Sequence, residues 1–123
     1  MPTPMTVLLK RAYEIPEPGD GFRILVDRLW PRGVSKNAAH IDLWFKDIAP
    51  SPELRKWYGH DPSRWIAFRE RYFEELHANP DAVAQLAGYA RQGAVTLVYG
   101  AKDTEHSHAL ALKQYLEHVY KHA

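Results

Sequence analysis

Hydrophobic and polar positions alternate with a period that changes several times along the chain, and each change marks an element. Thr6 to Tyr13 (TVLLKRAY) opens with a short apolar run that suits a strand. Pro16 to Gly21 (PEPGDG) has the Pro and Gly content of a turn. Phe22 to Asp27 (FRILVD) then places Ile24, Leu25 and Val26 in succession, as expected of a strand covered on both faces. Pro31 and Gly33 end it. Ser35 to Ala39 is long enough for one helical turn capped by Ser35. His40 to Asp47 fits a strand or a short helix, and the alternation of Ile41, Leu43 and Phe45 favours the strand.

The later segments carry start and stop signals. Ser51-Pro52-Glu53 combines a capping hydroxyl, a Pro at the first position and an acid near the positive end of a helix, and Gly59 stops it. Asp61-Pro62 repeats the signal, and Trp65, Phe68, Tyr72 and Leu76 follow at spacings of three and four. Asn79-Pro80-Asp81 starts another helix with Val83, Leu86, Ala87 and Ala90 inside and Gly93 as its stop. Ala94 to Tyr99 (AVTLVY) is the strongest strand signal. Gly100 to Asp103 leads into a last helix, capped by Asp103 or Thr104, with a buried stripe of Ala109, Leu112, Leu116 and Val119. His118 and His122 read as surface residues. Strand, loop and strand, then helices, a strand and a helix, predict an α/β fold with a small, mostly parallel sheet.

A length of 123 residues suits one domain spanning 1–123. Sixteen Lys plus Arg against fifteen Asp plus Glu leave a net charge of +1, which disfavours a strongly cationic nucleic-acid binder. There is no cysteine, so disulfides, thiolate catalysis and cysteine metal sites are excluded. No apolar run reaches the ~18 residues that span a membrane. The first residues lack a basic region followed by an apolar stretch and a cleavage site. A cytoplasmic protein is the resulting expectation.

In parallel α/β sheets, ligands bind outside the carboxyl ends of the strands. Two polar clusters stand at such ends, Asp27 to Arg32 and Gly100 to His108. In the first, Asp27 and Arg28 fit either a structural ion pair or half of an anion clamp, with Arg28 and Arg32 offering planar donors for phosphate or carboxylate. Trp30 serves as packing or as a wall on which a ring stacks. In the second, backbone N–H groups at the helix start from Asp103 to His106 form an expected anion site, with Lys102 adding a point charge and Tyr99 a wall. Asp27, Asp103, His106 and His108 are the acid/base candidates. Arg28, Trp30, Arg32, His60, Tyr99 and Lys102 are the ligand-binding candidates. His106 and His108 point about 200° apart on a helix, against a shared metal. Three histidines, His60, His106 and His108, keep a metal site as an alternative.

Three motifs carry a resemblance. LVDRLWPRG (25–33), WYGHDP (57–62) and AKDTEHSH (101–108) resemble the YeaO-like family of uncharacterised bacterial proteins, over roughly residues 7–118. That family looks like the short members of a larger group of unknown function. Longer members have a strand ending in Val-Asp-x-Arg, a late strand running into a Cys-containing loop, and a Cys-His-Arg triplet at the next helix. The matching positions here are Val26-Asp27-Arg28, then Tyr99 or Gly100, then Ser107-His108-Ala109. Both cysteines and the final arginine are absent, and His108 alone matches within the triplet. The resemblance implies a strand at 41–46 and parallel strands in a three-layer α/β/α, Rossmann-like domain. It implies no reaction or cofactor. The ten or so residues between the first two strands are short for a crossover helix.

The reading ranked first is a small-molecule pocket for a phosphate- or carboxylate-bearing ligand, enzymatic or not. Its alternatives are a nucleic-acid-associated protein, a histidine metal binder and an interaction domain without catalysis. No membrane partner is expected, and a homodimer through a sheet edge or helix face is compatible with the sequence.

Overall fold

A computed structural model describes residues 5–120. Strands β1 (Val7–Arg11), β2 (Phe22–Leu25), β3 (Leu43–Trp44) and β4 (Val95–Tyr99) form a sheet in the order β1-β4-β2-β3, every pair parallel. The helices are α1 (Lys36–Ala39), α2 (Pro52–Tyr58), α3 (Trp65–His77), α4 (Pro80–Gln92) and α5 (His108–Tyr120). The fold is therefore α/β with a small parallel sheet, as the sequence pattern implied.

The pleat divides β2 and β4 between two faces. Ile24, Val26, Val95, Leu97 and Tyr99 join the main core with Phe68, Tyr72, Leu86, Leu112 and Leu116 from the helices. Leu25 and Val98 turn the other way and meet Ala12, Trp30, Val34, Ile41 and Trp44. Both faces are thus covered, which is why 24–26 reads as an unbroken apolar run. The second cover is thin: the connection 26–42, with only the single turn α1, lies over it.

The parallel β1–β2 connection crosses without a helix, through a 3₁₀ turn at Pro18–Asp20. Asp20 holds it down. Its carboxylate accepts from Lys10 Nζ on β1 and from Arg23 on β2, and its carbonyl accepts Thr96 Oγ1 from β4 at 2.7 Å. Gly21, at φ 66°, sits so close to β4 that a Cβ would lie 2.2 Å from the Ala94 carbonyl oxygen, so no side chain fits.

The α3 stripe and the α4 stripe are placed as the spacing implies, and Ser51 caps α2 through Leu54 N–H at 3.1 Å. Three expectations are corrected. β3 is only two residues long, because Phe45 leads directly into a 3₁₀ turn at Lys46–Ile48. α5 begins at His108 rather than near Asp103, because the Asp103 side chain folds onto the N–H groups of Glu105 and His106 and closes a turn there. Ser107 is the cap, accepting Leu110 N–H at 3.1 Å. Val119 is 47% exposed, one turn beyond the last buried position, Leu116. His122 and residues 1–4 lie outside the described residues.

Candidate functional site

The carboxyl ends of β2 and β4 are neighbours in the sheet, so the loops that leave them meet. Asp27, two residues past β2, reaches across. Its Oδ2 accepts the Gly100 N–H at 2.8 Å, and its Oδ1 lies 3.0 Å from His108 Nε2. The same Nε2 lies 3.1 Å from the Val26 carbonyl oxygen. Both neighbours are acceptors, so Nε2 carries a hydrogen. Tyr72 packs edge-on against this imidazole with ring centroids 6.4 Å apart, and its hydroxyl donates to Ile48 O. The Val26 carbonyl oxygen is the hydrogen-bond partner of Nε2, and Asp27 Oδ1, buried beside the ring, makes no hydrogen bond of its own.

Ser107, next to His108, is buried, and its Oγ is occupied by the Leu110 N–H as the α5 cap. No cysteine exists to replace it.

A cavity of about 260 Å³ opens beside the pair, lined from β2 by Asp27 to Arg32, from β4 by Gly100 and Ala101, and by Arg55, Tyr58, His60, Phe68, His106 and His108. Arg28 is held at its guanidinium by the carbonyl oxygens of Ala49 and Pro50, at 3.3–3.4 Å. Among the described residues no carboxylate pairs with Arg28, Arg32 or Arg55. Arg32 sits in a turn closed by Val34 N–H on Pro31 O, with Gly33 at φ 78° supplying the left-handed position. His60 lies at φ 57°, directly after Gly59 at 54°, so the α2–α3 connection holds two consecutive left-handed residues beside the cavity. For a non-glycine residue that conformation costs about 1 kcal/mol.

The third wall is the 101–107 turn. Asp103 Oδ1 accepts the N–H groups of Glu105 and His106, while Oδ2 takes His106 Nδ1 at 2.8 Å. The His106 hydrogen bond, chiefly, holds the Asp103 carboxyl below the ordinary carboxylate value. Tyr58 donates its hydroxyl to His106 O at 2.8 Å, and Trp65 packs edge-on against the His106 ring. Burial, with smaller contributions from Asp103 and Asp61, pushes the Tyr58 phenol up to about 12.

Of the residues singled out from sequence, Asp27, Arg28, Trp30, Arg32, His60, His106 and His108 all line this cavity. Trp30 also packs on the second face, with Nε1 donating to Val34 O at 2.8 Å and Trp44 edge-on at 5.4 Å. Lys102 is exposed and lies off the lining. Tyr99 is buried in the main core, and burial raises its phenol above the ordinary value. Asp103 acts on the cavity only through His106. Two of the N–H groups expected to hold an anion there, those of Glu105 and His106, already hold the Asp103 carboxylate. Among the described residues, no three His, Cys, Asp or Glu side chains are arranged to hold a metal ion. No described helix is long and apolar enough to cross a membrane.

Sequence reasoning missed Arg55, Tyr58 and Phe68 as lining residues. The periodicity of α2 and α3 assigns them to solvent or core, and only the packing of α2 against the strand ends turns them to the cavity.

Fold and site together define a small parallel α/β protein with Asp27 and His108 side by side at its strand ends, beside a cavity lined by three arginines and three histidines. The chain belongs to the family described as the inactive DUF488-N3 subclade, whose model matches residues 6–123. It is 44% identical to the uncharacterised protein YeaO of Escherichia coli over 112 residues, 91% of this chain and 97% of that one. An uncharacterised protein of Mycobacterium tuberculosis is 44% identical over 110 residues, 89% of this chain and 92% of the relative. No solved structure matches the chain.

Proposed function

We propose that this is a cytoplasmic ligand-binding protein that holds a small phosphate- or carboxylate-bearing molecule in the cavity at the ends of β2 and β4, without turning it over. One observation carries the reading. Arg28, Arg32, Arg55 and three histidines line the cavity, against a single carboxylate, Asp27, whose Oδ2 is engaged by the Gly100 N–H and whose Oδ1 lies 3.0 Å from His108 Nε2. Arginine is the side chain suited to planar oxyanions. The absence of turnover is supported by the family's description as inactive, by the missing cysteines and by the occupied Ser107 hydroxyl. A nucleic-acid track is disfavoured, since the cations converge on a cavity rather than a stripe and the net charge is only +1.

The test is a thermal-shift screen of untagged protein against phosphates, sugar phosphates, nucleotides and carboxylates, followed by calorimetry. A ligand at a hundred times its Kd stabilises by about 2.7 kcal/mol. The expected result is stabilisation by an anion, lost in the Arg32→Ala/Arg55→Ala double variant. Stabilisation by none of them, or a shift unchanged in that variant, would overturn the reading.

A further inference from the structure

Resting on that anion reading, we infer that the ligand is amphipathic: a single apolar ring carried in the depth of the cavity, with one carboxylate or phosphate directed to its mouth. The lining is sorted by depth. Phe68 at 1% exposure and Tyr58 at 5% are its buried part, together with Pro31, Ala49 and Pro50. Phe68 and Tyr58 stack on each other with centroids 4.3 Å apart.

Most polar atoms near this wall are already used, the buried Asp27 Oδ1 being the exception. Tyr58 Oη donates to His106 O, Trp30 Nε1 to Val34 O and Gly100 N–H to Asp27, each at 2.8 Å. The buried wall therefore presents mainly carbon, and a fully hydrated anion placed against it would lose water without gaining donors. The exposed lining is the reverse. Arg32 and Arg55 stand there with no carboxylate partner among the described residues, and Leu29, at 63% exposure, extends the apolar path outward.

Size narrows the class further. An apolar cavity of roughly 150 Å³ accepts benzene, so about 260 Å³ holds one ring and a small anionic group. Two ring-sized bodies exceed it, so a second ring would stand outside the cavity.

Calorimetry on the full chain at fixed ionic strength, with five probes, tests this: benzoate, phenyl phosphate, acetate, inorganic phosphate and benzyl alcohol. The expected result is that benzoate or phenyl phosphate binds at least tenfold more tightly than acetate and inorganic phosphate, and that benzyl alcohol binds at least tenfold more weakly than either aryl anion. Comparing benzoate with phenyl phosphate assigns the anionic group. Arg55→Gln, an exposed position, should weaken the aryl anion at least fivefold and leave benzyl alcohol unchanged. Acetate or inorganic phosphate binding as tightly as the aryl anions would overturn the ring and leave the anion reading standing. Benzyl alcohol binding as tightly as benzoate, or no binding by any probe, would overturn both.

Discussion

Asp27 joins the ends of two neighbouring strands, its Oδ2 accepting the Gly100 N–H at 2.8 Å from a position 73 residues earlier in the chain. The contact leaves little room for a side chain at Gly100. A Cβ there would lie 3.1 Å from that same oxygen and 3.3 Å from Pro31 Cβ. Gly100→Ala should therefore destabilise by about 1–2 kcal/mol through overpacking. It should also weaken any cavity ligand by displacing the Asp27–His108 pair. Urea unfolding measures the first effect and calorimetry the second. A variant as stable as the parent would show that Pro31 and Asp27 yield without cost.

Asp20 should make the protein acid-sensitive. Burial acts to raise its carboxyl, but hydrogen bonds from Lys10, the Glu17 N–H and Arg23 together outweigh burial and hold it below its ordinary value of 3.8. A depressed carboxylate stabilises the fold above its unfolded pKa, and that contribution disappears as pH falls through the folded value. The loss is thus expected below about pH 4. Asp20→Asn should flatten the acid limb of a stability profile taken by urea unfolding between pH 3 and 7. At neutral pH it should cost about 3 kcal/mol, because the guanidinium of Arg23, 3% exposed, loses its carboxylate partner. The partner Lys10 is raised, chiefly by its hydrogen bond to Glu17 and then by that to Asp20. Its contribution is complete below the ordinary lysine value of 10.5 and is lost as pH rises through the folded value.

Local signals in the sequence were legible where one residue decides the outcome. Ser51 as a cap, Gly59 and Gly93 as stops, and the α3 and α4 stripes all follow from side-chain chemistry within one or two turns. The two strand-end clusters were legible for a similar reason, since a parallel sheet brings such ends together. What failed was competition between two local solutions. Asp103 fits a helix cap as well as an Asx-type turn, and the His106 imidazole, by taking the second carboxylate oxygen, favours the turn. Arg55 and Phe68 were hidden for a different reason. Their roles depend on how α2 and α3 dock, which no short-range pattern encodes.

Tyr58 should prove to be the fastener of the 101–107 turn. Its hydroxyl makes a hydrogen bond to His106 O across 48 residues of sequence. Tyr58→Phe leaves that carbonyl without this partner and should cost about 1 kcal/mol. Because the phenol is pushed up to about 12, mainly by burial, its ionisation lies well above that of an ordinary tyrosine near 10. Absorbance titration of parent and variant should differ by one late-ionising tyrosine. A difference appearing near pH 10 would contradict the burial of this ring.

Arg28 and Arg55 line the same cavity, yet their replacement should have different consequences. The Arg28 guanidinium donates to the carbonyl oxygens of Ala49 and Pro50, so it ties the segment before α2 to the end of β2. The Arg55 side chain is exposed and has no carboxylate partner among the described residues. Arg28→Met keeps much of the side-chain volume but removes the donors. It should lower stability by about 1 kcal/mol, since bonds of 3.3–3.4 Å are long, and should also reduce anion affinity. Arg28→Lys retains the charge without the planar fork, so it should recover part of the affinity and little of the stability. Arg55→Ala should leave unfolding within about 0.5 kcal/mol of the parent, as surface substitutions usually do, and reduce affinity alone. Paired urea and calorimetric measurements on the three variants separate the roles. If Arg55→Ala were the more destabilising change, α2 rather than the 49–50 segment would be what anchors this wall to the sheet.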